Sequence, residues 1–179
     1  MSSISSVDEH RDGAPSLIRC AVVTLSDTRT LETDTSGLEI MKLLQQKQYL
    51  CVERKLIPDD PERLGPLLES LARQSNINAI LLTGGTGISP RVQPYECILG
   101  LLDRVIPGFG ELFRMLSYEE IGSASLLSRA IGGLIGTTVV LSMPGSRGAV
   151  QLAMTKIILP ELGHLVREAG KGLTPGGSQ

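Results

Sequence analysis

Ile77-Asn78-Ala79-Ile80-Leu81-Leu82-Thr83-Gly84-Gly85-Thr86-Gly87 is the stretch that decides the fold. Its first seven residues form a strongly apolar run, short enough for a fully buried strand. That run empties directly into three glycines within four positions. In open α/β sheets ligands gather at the carboxyl ends of strands, so the flanking pattern decides what this loop belongs to.

Toward the N-terminus the pattern alternates. Residues 17–25 are a second apolar run, rich in β-branched side chains, and read as a buried strand. The polar loop Ser26-Asp27-Thr28-Arg29-Thr30 follows. Asp34-Thr35-Ser36-Gly37 then offers side-chain oxygens to the first free N–H groups of a helix. That helix is expected to run to about Tyr49, with Leu38, Met41 and Leu44 on one face. Residues 50–57 alternate around Arg54 and Lys55, as a strand does. Pro58-Asp59-Asp60-Pro61 stops it and opens a second helix, with Pro61 at an early helical position. Leu64, Leu67, Leu68 and Leu71 supply the apolar stripe of that helix. The order strand–helix–strand–helix–strand predicts a largely parallel sheet covered on both faces.

On the other side of the glycines, Pro107-Gly108 precedes an expected helix over 109–120. Residues 131–135 and 138–142 read as two short strands around Gly136-Thr137, a hairpin at one edge of the sheet. A long helix over 147–169 closes the domain, with Val150, Ala153, Ile157 and Leu165 inward and a kink or break at Pro160.

Composition bounds the function. The 179 residues predict one domain, placed at 16–170 between tails at 1–15 and 171–179. Seventeen basic against nineteen acidic residues leave net charge -2, and aromatics are 3% with no Trp. That is a poor supply for nucleic-acid binding, and no such partner is expected. No apolar run reaches membrane-spanning length, and residues 1–15 lack the apolar stretch of a secretory signal, so a cytoplasmic protein without membrane attachment is expected. Cys20, Cys51 and Cys97 lie among apolar residues and read as buried reduced thiols, with a disulfide or zinc site as the alternatives. His10 and His164 are far apart in sequence, which speaks against a metal cluster or a Ser-His-Asp triad.

Candidate chemistry sits in the loops. Thr83, Gly84, Gly85, Thr86 and Gly87 would offer free N–H groups to an anion at a strand end, with Arg91 adding a fork for phosphate. The competing reading is a purely structural tight turn. The loop is no P-loop, because no Gly-Lys-Ser/Thr follows, and it does not match GxGxxG. Asp59 and Asp60 place two carboxylates at another strand end, suited to Mg²⁺ beside a phosphate or, for Asp60, to capping the next helix. Ser26, Asp27 and Thr28 form either a polar contact or a turn. Met143-Pro144-Gly145-Ser146-Arg147 leaves a strand and opens a helix, as a second anion site or a plain connection. Ser128 and Arg129 precede a strand and meet a phosphate or solvent.

These pieces also resemble one family when taken in order. Ser26-Asp27-Thr28-Arg29-Thr30, Asp34-Thr35-Ser36-Gly37, Ile57-Pro58-Asp59-Asp60, Thr83-Gly84-Gly85-Thr86-Gly87, Pro107-Gly108-Phe109-Gly110-Glu111, Leu127-Ser128-Arg129 and Met143-Pro144-Gly145 are similar to the MoaB/Mog family of molybdenum cofactor biosynthesis. The segment 113–122 is most similar to the MoaB branch. The resemblance covers about 17–170 and implies a three-layer α/β/α sandwich, its sheet mostly parallel with a short antiparallel edge hairpin. It implies a homo-oligomer, a trimer or a dimer of trimers, and contact with other proteins of cofactor biosynthesis. It also implies binding of molybdopterin and transfer of AMP from Mg-ATP to its terminal phosphate. Gly84, Gly85, Thr86 and Gly87 would cradle phosphate, and Asp59 would hold Mg²⁺ or orient the attacking phosphate. Ser128, Pro144, Gly145 and Ser146 would help bind the pterin.

The family's pattern after the glycines is Arg-Asp followed by an acid. Here Arg91 and Glu96 match, but the Asp position is Val92, which cannot coordinate Mg²⁺. Either Asp59 works without that partner, or Glu96 substitutes for it, or the chain binds the pterin without adenylylating it. A third possibility is an unrelated nucleotide-binding α/β protein.

Overall fold

The computed structural model describes residues 17–88 and 94–171. The expected N-terminal tail, and all of the C-terminal one but Lys171, lie outside the described residues, as do Arg91 and Val92. Strand β1 (Arg19–Leu25) is buried along nearly its whole length. Helix α1 (Thr35–Gln46) starts at Asp34, whose side chain accepts from Gly37 N. It stops before Tyr49 because Gln48 takes the left-handed conformation, φ 59°. Strand β2 (Leu50–Ile57) and helix α2 (Pro61–Ala72) follow. Asp60 caps α2 by accepting from Glu62 N, as an Asp before Pro is suited to do. Strand β3 (Ala79–Thr83) is buried at every position. Leu38 corrects the sequence reading: it is 44% exposed, while Ile40, Leu43 and Leu44 face inward. It sits about 200° around the helix from Ile40, which puts it on the opposite side.

Helix α3 (Pro94–Leu101) and the two-residue strand β4 (Arg104–Val105) were not legible in the sequence. Helix α4 (Pro107–Ile121) runs into a 3-10 turn at Gly122–Leu127. Strands β5 (Ile131–Ile135) and β6 (Thr138–Met143) pair antiparallel. The closing helix comes in two parts, α5 (Arg147–Ala153) and α6 (Leu159–Gly170), joined by a π turn at Met154–Ile158. Pro160 explains the break. Its ring crowds the preceding turn and it cannot donate, so the chain widens just ahead of it and Leu159 N reaches back to Met154 O.

The sheet order is β2-β1-β3-β6-β5-β4. β2, β1, β3 and β6 are mutually parallel, and β5 and β4 complete the antiparallel side. β4 is thus the outermost strand, and the β5–β6 hairpin lies just inside it. Alternating side chains build two cores. Cys20, Val22, Leu81 and Leu141 face α1, α4, α5 and α6, while Ala21, Val23, Ile80 and Val140 face α2 and α3. Helices on both faces of one sheet make the three-layer α/β/α sandwich. The consequence for function is geometric. The loops after β1, β2, β3 and β6 leave the same end of the sheet, and antiparallel β5 begins there.

Candidate functional site

An open cleft of about 500 Å³ lies at that end, lined by Leu25, Ser26, Asp27, Thr28, Arg29, Asp59, Gly145 and Ser146. It opens beside β1, where the strand order reverses, the usual place for a ligand in such sheets. Ser26 shapes the first loop by accepting from Thr28 N (3.3 Å) and Arg29 N (3.2 Å). Asp59 N donates to Asp27 Oδ1 at 3.1 Å, which ties the second loop to the first. Asp59 Oδ1 is buried and has no partner among the described residues. Burial, and then the nearby Asp27 carboxylate, push the Asp59 carboxyl above its ordinary range. Two carboxylates held together with a desolvated, unsatisfied oxygen form an arrangement that a cation would relieve. The donor set fits Mg²⁺, which takes one or two carboxylates and fills its other positions with water and phosphate oxygens. Among the described residues no cluster of three or more His, Cys, Asp or Glu exists, so a cage built only of protein side chains is not available there.

A buried ionic network supports the cleft from below. Asp34 is fully buried; it accepts from Gly37 N (2.9 Å), Thr24 Oγ1 (2.8 Å) and Arg54 Nη2 (2.9 Å). Burial raises its pKa, but these hydrogen bonds and the Arg54 charge outweigh it and hold the carboxyl below the ordinary range. Arg29 spans from this network to the loop after β6. Its Nη1 donates to Ser36 Oγ (3.0 Å) and its Nη2 to Gly145 O (3.3 Å), while Ser36 Oγ donates to the same carbonyl at 2.9 Å. In the sequence Arg29 and Ser36 are only members of the strings 26–30 and 34–37. Their shared partner lies 116 and 109 positions away, and no local signal reveals it.

The glycine loop serves both packing and presentation. Gly84 has φ +99°, and a Cβ there would stand 2.3 Å from Leu25 O. Gly145 approaches it so closely that its own Cβ would meet Gly84 Cα at 3.2 Å. Gly84 N donates to Met143 O at 3.1 Å, and Thr83 Oγ1 donates to Pro144 O at 3.3 Å. This alters the expected phosphate cradle. The Gly84 N–H is already spent on the sheet end, whereas those of Gly85, Thr86 and Gly87 have no acceptor among the described residues. Arg129 approaches the loop from the start of β5. Its Nε donates to Thr86 O at 3.0 Å, Nη2 to Gly87 O, and Nη1 to Glu96. Its guanidinium also lies over the Tyr95 ring, 4.6 Å from the centroid. The hydrogen bond from Arg129, with its charge, holds the Glu96 carboxyl below the ordinary range.

A second, smaller hollow of about 130 Å³ adjoins the cleft at Ser146 and is lined by Ser117, Glu120, Ser128, Pro144 and Ala149 among others. Ser146 also caps α5, accepting from Ala149 N at 3.2 Å. The structure therefore gathers Ser26, Asp27, Asp59, Gly145 and Ser146 in one cleft and Ser128, Pro144 and Ser146 in the next. It sets Glu96 and Arg129 against the carbonyl side of the glycine loop.

Known proteins are similar to this chain in sequence and fold. A family model described as a probable molybdopterin binding domain covers residues 21–164. A protein of Halalkalibacterium halodurans named molybdenum cofactor biosynthesis protein B is 49% identical over 164 residues, which is 91% of this chain and 96% of that one. A crystal structure of a molybdenum cofactor biosynthesis protein B superposes with TM-score 0.85 at 49% identity, covering 88% of this chain and 99% of that one. The tungsten cofactor synthesizing protein MoaB of Pyrococcus furiosus superposes with TM-score 0.78 at 36% identity, covering 87% and 99%.

Proposed function

The chain belongs to the molybdopterin-binding domain family, as a MoaB-like member in molybdenum cofactor biosynthesis, and from that premise we propose that it binds molybdopterin and transfers AMP from Mg-ATP to the terminal phosphate. The observation that carries this reading is the pair Asp27 and Asp59, with Asp59 Oδ1 buried and without a partner among the described residues in the cleft at the strand ends. In the reaction a terminal phosphate oxygen of molybdopterin attacks the α-phosphorus of ATP. A new P–O bond forms, the α–β bridging bond breaks, and pyrophosphate leaves with the electron pair. Asp59 and Asp27 would hold Mg²⁺, which would supply charge neutralisation to the phosphates. The chain's own work is positioning. The N–H groups of Gly85, Thr86 and Gly87 would donate to phosphate oxygens, and Ser128, Pro144, Gly145 and Ser146 would hold the pterin end. Ser26 keeps Asp27 aimed by fixing its turn.

Incubation of the protein with molybdopterin and Mg-ATP is expected to yield the adenylylated product and pyrophosphate. No product above a no-protein control overturns the enzyme reading. One observation favours a second reading, a non-catalytic molybdopterin-binding oligomer: Val92 stands where the family pattern has Asp. Pterin binding without product selects it.

The proposal includes self-association. Phe109 and Phe113 turn into the core, but Leu112, Met115, Tyr118 and Ile121 of α4 stay exposed, as do Leu126 and Leu127 of the 3-10 turn. An apolar face of this extent suits a second and third copy of the chain. Among the described residues no helix is long and apolar enough to cross a membrane. The three free thiols support the cytoplasmic location included in this reading.

A further inference from the structure

We propose that Arg129 is a positioning residue for the glycine loop, a clamp on its carbonyls, and that Glu96 steadies the clamp. The inference rests on the phosphate-binding reading of that loop and deepens it, because it removes Arg129 and Glu96 from direct contact with the ligand. Each nitrogen of the guanidinium spends one N–H on a partner, three of its five donors. Nε takes Thr86 O, Nη2 takes Gly87 O and Nη1 takes Glu96, while one face lies on Tyr95. The side chain is only 20% exposed and its charge is met by Glu96. The two-pronged contact that a guanidinium makes to phosphate would compete with these partners.

The clamp has a defined effect on the loop. In a planar trans peptide the C=O and N–H point in opposite directions. The Thr86 carbonyl shares its peptide with the Gly87 N–H, and the Gly87 carbonyl shares its peptide with the Ile88 N–H. Pinning both carbonyls to one guanidinium turns both N–H groups to the opposite side, together and in advance. Glycines leave the loop free to flip, so orientation must come from outside it. Arg129 supplies that orientation. The fork geometry matters: a lysine ammonium is a point charge and cannot hold two carbonyls and a carboxylate in one plane.

Arg129→Lys, Arg129→Gln and Glu96→Gln test this in the full chain with two measurements. The first is the NMR order parameter of the backbone amides at 84–88 in the free protein. The second is titration calorimetry with Mg-ATP. A clamp predicts that Arg129→Lys behaves like Arg129→Gln, with loop order parameters falling from about 0.85 toward about 0.6 and Mg-ATP affinity weaker by about tenfold. Glu96→Gln moves both in the same direction by less. Order parameters over β3 and α1 stay at the wild-type level, which separates a loosened loop from a loosened fold. If Arg129→Gln does not fold, the other two variants decide. Wild-type loop order in Arg129→Lys, or full Mg-ATP affinity in Arg129→Lys beside a loss in Arg129→Gln, overturns the clamp and returns Arg129 to phosphate contact. The order parameters need no turnover, so absence of AMP transfer in the wild type sinks the proposed reaction and leaves the clamp to be judged by loop order.

Discussion

Asp59 and Asp34 are both shielded carboxylates beside the same cleft, and their surroundings are opposite. Asp34 has donors for both oxygens, whereas Asp59 Oδ1 has none among the described residues, and only the Asp59 backbone N–H reaches the Asp27 carboxylate. An unsatisfied group next to a like charge costs stability, and it persists where a ligand completes it. Asp59→Asn is therefore expected to leave thermal stability of the ligand-free protein unchanged or raise it by a few degrees, roughly 1 kcal/mol, while AMP transfer falls by about 100-fold or more. Calorimetric melting with and without Mg²⁺ checks the cause. The ion should raise the melting temperature of the wild type and not that of Asp59→Asn; an equal shift in both removes Asp59 from the metal site. Asp34 carries a pH prediction. Its folded pKa is lowered, so its contribution to stability is present above the ordinary carboxylate pKa and is lost as pH falls through the lowered folded value. Denaturant titrations from neutral to acid pH should show Asp34→Asn destabilised by about 3 kcal/mol near neutrality, from the broken Arg54 and Thr24 pairings, with the gap closing as pH drops.

Individual elements show which parts of the site are local and which are not. Asp60, Pro61 and the leucines of α2 sit within one helix, and their spacing is enough to read the cap and the buried face. The sheet side of β1 and β3 was equally plain, because a buried parallel strand is a continuous apolar run. α3 is not legible, since it begins on a proline directly after a stretch without helical periodicity, and β4 has only two residues. The site divides the same way. Asp59, a carboxylate in a strand-end loop, is a local pattern, whereas the contacts of Arg129 depend on carbonyls 42 and 43 positions away. The loop after β3 makes its own prediction at this scale. Gly84→Ala would force a Cβ to within 2.3 Å of Leu25 O at a positive φ, so the ends of β1, β3 and β6 must separate. A loss of at least about 2 kcal/mol in denaturant unfolding is expected, with AMP transfer lost along with it. A variant as stable as the wild type would show that the turn adapts freely and that its packing against β1 is incidental.

At the scale of the whole molecule, the two faces of the sheet are closed differently. α2 and α3 cover one face, and on the other α1, α5 and α6 leave α4 at the side with its apolar stripe turned outward. Leu112, Met115, Tyr118 and Ile121 recur at intervals of three, so the exposed apolar row winds about 60° per step around α4, and Leu126, 81% exposed, follows in the 3-10 turn. The same helix contributes Ser117, Glu120 and Ile121 to the smaller hollow that holds Ser128 and Ser146, so whatever covers the stripe also bounds that hollow. Light scattering on the wild type is expected to report a multiple of the 19.1 kDa protomer. Met115→Lys with Tyr118→Lys, both on exposed positions, should shift the population to the protomer without unfolding it, since neither side chain belongs to the core. Molybdopterin affinity should fall with that shift, by about tenfold if the neighbouring copy closes the hollow. Unchanged pterin affinity in a monomeric variant would confine the whole ligand site to one chain, and a wild type that scatters as 19.1 kDa would leave the stripe to some other partner.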